Sequence, residues 1–225
     1  MTILYLCGAA NPEGVRLALA INQKHARWDQ IILLDDNPSK QGQCILGVEV
    51  AGPFETLRKV DAGSAEVSNM VARTTVKRWS AHCKIEHYGL PFSRIVHPSV
   101  DTLGVELGTG VTVYQNATVG ASASVGDESV IFMGAAVGHG ARLGRCCIVA
   151  PGAVINARAR LEEGVYVGTN ATILPEVRVG PWATIAAGSV AMRDVPAGAT
   201  VLGVPGKILE FRAHAIRAGS ASLAQ

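Results

Sequence analysis

Val137-Gly-His-Gly-Ala-Arg, Leu143-Gly-Arg-Cys-Cys-Ile, Val149-Ala-Pro-Gly-Ala-Val, Ile155-Asn-Ala-Arg-Ala-Arg and Leu161-Glu-Glu-Gly-Val-Tyr are consecutive hexapeptides. Each opens on a branched aliphatic residue and carries a small one at its fifth position. Carried outward, the register runs from residue 95 to residue 191, seventeen hexapeptides without an insertion. Fifteen of the first positions are Ile, Leu or Val, the exceptions being Asp101 and Ala191. The fifth position stays Ala, Ser, Cys or Val from Ser99 through Cys147 to Val195, and second positions are often Gly, as at Gly120, Gly138 and Gly168. Period six is neither helical nor simply alternating; among repeat architectures it belongs to the parallel β-helix. Each hexapeptide is one short strand and a corner. Three of them close a triangular coil of eighteen residues, so that position n stacks on n − 18 about 4.8 Å away.

Composition agrees with such a tube. The chain has 225 residues, 48% of them apolar but only 5% aromatic, with 25 glycines. A narrow tube excludes rings and is filled by small aliphatics, and glycine serves corners that need unusual dihedrals. The formal net charge of +2 offers no basic surplus for nucleic acid or an anionic membrane. No uncharged apolar run reaches the ~20 residues that a membrane helix requires. Met1 runs directly into Ile3-Leu4-Tyr5-Leu6 without a basic segment or cleavage site, and the five cysteines are odd in number and unpatterned. Both features point to reduced thiols in the cytoplasm.

Residues 1–94 have another texture. An apolar run over residues 2–7, a helical pattern over 14–26 and the run Ile31-Ile32-Leu33-Leu34 give strand, helix, strand, the order of a βαβ unit. A weak strand over 66–71, a polar helix over 74–88 and a last strand over 92–96 follow, and the texture changes after Pro98. The expected architecture is an α/β Rossmann-like domain over residues 1–94, followed over 95–225 by the β-helix. Residues 205–214, with Ile208, Leu209, Phe211 and Ala213, read as a C-terminal helix capping the last coil, and the tail from Gly219 reads as loose.

The first turn, Gly8-Ala9-Ala10-Asn11-Pro12-Glu13-Gly14, breaks the dinucleotide fingerprint at Ala10. It is either a nucleotide contact or a tight strand-to-helix turn. Asp35, after the second strand, is placed either to accept from a ribose hydroxyl or, with Asp36, to start the turn before Pro38. Of six histidines only His139 lies inside the repeat body, at a corner facing out of the tube. Arg142, Arg160 and Arg178 stack as a ladder. That ladder either meets the phosphates of an anionic cofactor or is solvated and balanced by Glu162, Glu163 and Glu176. Cys147 is a small inward residue, and no histidine or acid stands near Cys146-Cys147 at ligand spacing, so no metal is expected.

The run from Val137 to Val190, the ending Gly203-Val204-Pro205-Gly206-Lys207, and the segments Leu34-Asp35-Asp36, Gly47-Val48-Glu49-Val50 and Ile95-Val96-His97-Pro98-Ser99 carry a resemblance. They resemble the hexapeptide-repeat acetyltransferases, in particular the sialic acid O-acetyltransferases and the N-acetyltransferases of UDP-linked 4-amino sugars. The resemblance implies a left-handed coil, a homotrimer with sites between subunits, and acetyl-CoA as co-substrate without a metal. It implies His139 as general base in direct transfer to a sugar amine or hydroxyl. It sets Ile148, Ala157, Thr169 and Ala187 along the cofactor, and the charge of the ladder, three residues from His139, adds Arg160 and Arg178 as candidate phosphate contacts. It sets Ala10, Asn11, Pro12, Asp35, Asp36 and Ala72 against a nucleotide sugar. The sequence departs from the family's pattern in three places. Gly140 replaces the acid that follows the histidine, Ile148 replaces a second histidine, and the first turn lacks the glycine-histidine-glycine run. A sugar O-acetyltransferase and a non-catalytic scaffold subunit are the alternatives.

Overall fold

The computed structural model describes residues 2–209. Strands β1 (Ile3–Cys7), β2 (Gln30–Leu34), β3 (Cys44–Ile45), β4 (Val48–Gly52) and β5 (Ala65–Asn69) form one sheet in the order β3-β4-β2-β1-β5. All neighbours run parallel except β3 and β4, which are antiparallel. Alternate residues of β1 face opposite layers. Leu4 and Leu6 pack with Val15, Leu17 and Ile21 of helix α1 (Pro12–His25), whereas Tyr5 and Cys7 pack with Phe54, Leu57 and Ile85, the last from helix α2 (Thr75–Glu86). The antiparallel β3–β4 pair and the short helical segment Phe54–Lys59 were not foreseen. Their short apolar content gives no period long enough to read.

From Glu106–Leu107 to Val190–Ala191 the chain is a parallel β-helix of two-residue strands on three faces. Residues pair eighteen apart, as in Arg142 with Arg160 and Ile155 with Ile173. The core of the tube is Val, Ile, Leu, Ala and Cys, first and fifth positions together, with no ring among them. Short parallel strands in this arrangement fit the left-handed coil.

Three expectations need correction. The register does not begin at Ile95. Ile95–Val96 pairs with Thr112–Val113, so Val96 and not Ile95 is the residue turned to the tube core, while Ile95 packs with α1 residues. A one-residue slip reverses every side chain in a strand. The slip falls where Asp101, exposed, breaks the pattern. The last coil is also shorter, with Thr184 opposite Thr200. Second, Phe92 contributes a single bridge to Val67 and no strand runs through residues 92–96. Third, Lys207–Leu209 is not helical but an antiparallel strand against Thr200–Leu202. It covers the edge that a coil end would leave open. The rest of the expected helix, with Phe211 and Ala213, and the tail from Gly219 lie outside the described residues.

The corners use glycine in two ways. From Gly104 to Gly188 every fourth position is left-handed, and many of these residues are not glycine, Ser122, Arg158 and Trp182 among them. From Glu128 to Gly188 each such N–H donates to a carbonyl nineteen residues back, as from Arg158 to His139 at 3.0 Å, which holds the conformation. The second-position glycines have ordinary φ. A Cβ on Gly138 would meet the backbone nitrogen of Ala157 at 2.6 Å, so glycine is needed there for close approach of coils and not for its dihedral freedom.

The two parts meet along α1 and α2. Tyr114, Val130 and Ile95 of the coil share a core with α1, and Tyr114 stacks on Phe132 at 4.8 Å. Beside α2, Arg78 is fully buried and donates to the Glu128 and Asn69 carbonyls, while Asn69 Nδ2 reaches the Glu128 carboxyl at 3.0 Å.

Candidate functional site

His139 stands exposed at the corner between strands Ala136–Val137 and Arg142–Leu143. Its backbone is fixed by Arg158, and its ring has no hydrogen-bond partner among the described residues. Gly140 takes the left-handed position after it, φ 65°, which an acidic residue would occupy only at a strain cost. Ala157 stacks on His139 at the same corner, half-buried. Thr169 and Ala187 lie exposed on a neighbouring corner, where the Gly188 N–H donates to Thr169. Ile148 is 1% exposed and sits on the face opposite the His139 corner, so within one chain it has no surface to offer a cofactor at His139. The expected cofactor set is thus divided among corners of a single coil.

Arg142, Arg160 and Arg178 form the ladder read from sequence, paired in register and exposed. Two of the three glutamates expected to balance it are engaged elsewhere, and Glu162 is exposed without an ion pair to the ladder. Glu163 pairs with Arg145 at 2.7 Å and Glu176 with Arg158 at 2.8 Å. The ladder has no side-chain ion pair among the described residues. Three stacked guanidinium groups repel one another, and an anion against the face relieves that repulsion.

A cavity of about 530 Å³ opens at the carboxyl edge of the five-stranded sheet, lined by Gly8, Asp35, Asp36 and Phe54 on one side and Lys77, Ser80 and Lys84 on the other. Asp35 is only 9% exposed and accepts from the Ala9 N–H at 2.8 Å, the Asn37 N–H at 2.9 Å and Lys40 Nζ at 2.8 Å. Burial alone would raise its carboxyl, but Lys40 and the two backbone donors outweigh burial and hold it below the usual carboxylate range. Asp35 thus lines the cavity while its oxygens are committed to holding the turns around it. Asp36 is more open, accepting from Phe54 N at 3.0 Å and Lys84 Nζ at 2.6 Å. Ala10, Asn11, Pro12 and Ala72 do not line this cavity. Asn11 caps α1 through the Glu13 N–H and donates to the Tyr114 hydroxyl at 3.0 Å, tying the first turn to the coil.

Sequence reasoning missed Lys77, Ser80 and the Arg78–Glu128 pair. Lys77 and Arg78 both read as members of a polar helix, and only the packing of α2 separates an exposed lysine from a buried arginine. Among the described residues no cluster of His, Cys, Asp or Glu could hold a metal, and no helix is long and apolar enough to cross a membrane.

This fold and site define a hexapeptide-repeat protein with an α/β unit at one side of the coil, and its structural neighbours are hexapeptide-repeat acetyltransferases. The acetyltransferase domain of PglB from Neisseria gonorrhoeae, solved with acetyl coenzyme A, superposes with a TM-score of 0.83 at 27% identity, covering 92% of this chain and 98% of that one. PerB from Caulobacter crescentus, in complex with CoA and GDP-perosamine, gives 0.81 at 24%, covering 93% and 98%. WeeI from Acinetobacter baumannii gives 0.81 at 23%, covering 93% and 100%. No protein-family profile and no curated protein sequence matches the chain.

Proposed function

We propose that the protein is an acetyl-CoA-dependent sugar acetyltransferase whose acceptor is the amino group of a nucleotide-linked sugar. The carrying observation is that a likeness spanning nearly the whole chain joins it to an acetyltransferase solved with acetyl coenzyme A. PerB, a neighbour of the same fold, is described with CoA and a GDP-linked amino sugar. The Rossmann-like reading of residues 1–94 as the nucleotide-sugar unit rests on the cavity beside Asp35 and Asp36. Residues 95–225 then form the acyltransferase unit.

His139 acts as the general base. Its ring accepts the proton of the attacking amine as the new C–N bond forms, and the thioester C–S bond breaks to release the thiol of coenzyme A, which takes up the proton. A backbone N–H serves the developing oxyanion. His139 works without an acidic neighbour at position 140, where Gly140 stands. The unpaired arginine ladder three residues on supports Arg160 and Arg178 as phosphate ligands for coenzyme A. A homotrimer brings the His139 corner of one coil against another subunit, where exposed Thr169 and Ala187 complete the cofactor groove. The enzyme works in the cytoplasm.

Purified protein given acetyl-CoA and a panel of UDP- and GDP-linked amino sugars is expected to release free thiol. His139→Ala should lower kcat by roughly 10²–10⁴-fold with little change in the acetyl-CoA KM. Absence of thiol release with every acceptor, and no effect of His139→Ala, would return the protein to a binding or scaffold role.

A further inference from the structure

In the turn between β1 and α1, where a βαβ nucleotide site seats its phosphates, most backbone donors are already committed, and only the adjacent Ala10 and Asn11 N–H groups have no acceptor among the described residues. Its Gly8 N–H donates to Leu34, Ala9 to the Asp35 carboxylate, Glu13 to the Asn11 side chain and Gly14 to the Asn11 carbonyl, and Pro12 has no N–H. An amide cradle for phosphate needs several adjacent free N–H groups. Glu13 adds a carboxylate to the same turn.

The charges around the sheet-edge cavity are distributed otherwise. Asp35 is matched by Lys40 and Asp36 by Lys84. Lys77 has no ion pair among the described residues, and it is the one lining charge left over. Lys77, Ser80 and Lys84 fall at i, i+3 and i+7 along one face of α2, lining the cavity together. They stand in the first two to three turns after the Thr74 cap, whose hydroxyl accepts from the Lys77 N–H at 3.2 Å. The surplus charge of the cavity is therefore positive and lies on α2, away from the committed turn.

We propose that the phosphates of the nucleotide-linked substrate are held by Lys77 and Ser80 on α2, and not by the turn ahead of α1. The inference rests on the nucleotide-sugar reading above and adds to it where the diphosphate lies. The nucleoside then occupies the end of the cavity at Phe54 and Asp36.

Titration calorimetry with UDP, GDP, uridine and guanosine tests this on the full chain. Lys77→Gln, an exposed position that leaves the fold intact, is expected to weaken the bound diphosphate about tenfold and Ser80→Ala a few-fold, with nucleoside affinity unchanged. Wild-type protein that binds a diphosphate which Lys77→Gln binds equally well would overturn the phosphate assignment alone. Wild-type protein that binds none of the four probes would overturn both this assignment and the nucleotide-sugar reading.

Discussion

Single residues at the corners divide by which constraint they meet. Ser122 is left-handed at φ 61° and exposed, so its Cβ carries strain that glycine would not. Ser122→Gly is expected to raise stability by about 0.5–1 kcal/mol, the strain relief slightly exceeding the gain in unfolded-chain freedom. Gly138 meets the opposite constraint. A methyl group there presses on the Ala157 backbone, which cannot give as a side-chain tip can. Gly138→Ala should cost about 1–3 kcal/mol, and urea unfolding midpoints measure both substitutions. Equal effects of the two would mean that dihedral preference and coil spacing were not separate causes.

At the scale of elements, the seam between α2 and the coil titrates near neutrality. Burial pushes the Glu128 carboxyl up to about 7 against the pull of Arg78 and Asn69, with Asp127 and Glu86 pushing the same way as burial. Its folded value lies above its unfolded one, so its contribution to stability is complete below the unfolded range and is lost as pH rises through about 7. His82, stacked between Trp79 and Phe92, is pulled down by burial, partly opposed by Glu86; its contribution is present above its unfolded value and is lost as pH falls. Between the ordinary carboxylate range and about 7 the two contributions therefore change in opposite directions. Glu128→Gln, which mimics the protonated carboxyl, should match wild type near pH 4 and decline less by pH 8.5. Melting temperatures across that range decide it, since destabilisation by Glu128→Gln at every pH would mean the carboxyl stays ionised against Arg78. The first turn makes a second seam. Tyr114→Phe removes the acceptor of Asn11 and should cost about 1 kcal/mol, read as a shift in the same melting curves.

For the whole molecule, one chain does not gather the expected cofactor residues, which is the ground for proposing a trimer. Sedimentation equilibrium should give a mass of about 70 kDa, three times the 23.4 kDa chain. A monomer with full transferase activity would remove the reason for assembly. Arg160→Gln with Arg178→Gln should raise the acetyl-CoA KM several-fold with little change in kcat, an effect that weakens as salt screens the ladder. An unchanged KM would leave the arginines as surface charge only.

The sequence by itself determined the coil, its stacking and the small-residue core. A six-residue period is local and repeats too often to be accidental, and eighteen-residue stacking follows from it, so the Arg142–Arg160–Arg178 ladder and the His139–Ala157 neighbourhood could be read before any coordinates. The first repeat departs from the register because one position fewer in that coil reverses a strand without changing its composition. What only the tertiary structure decided is which polar groups are already committed. Asp35 and Asn11 carry side chains suited to a ligand, yet they are held by partners from distant segments, Ala9 and Tyr114, that no period predicts. A hydrogen bond between residues far apart in the chain depends on how two packed layers meet, and that is set by the shape of the whole core.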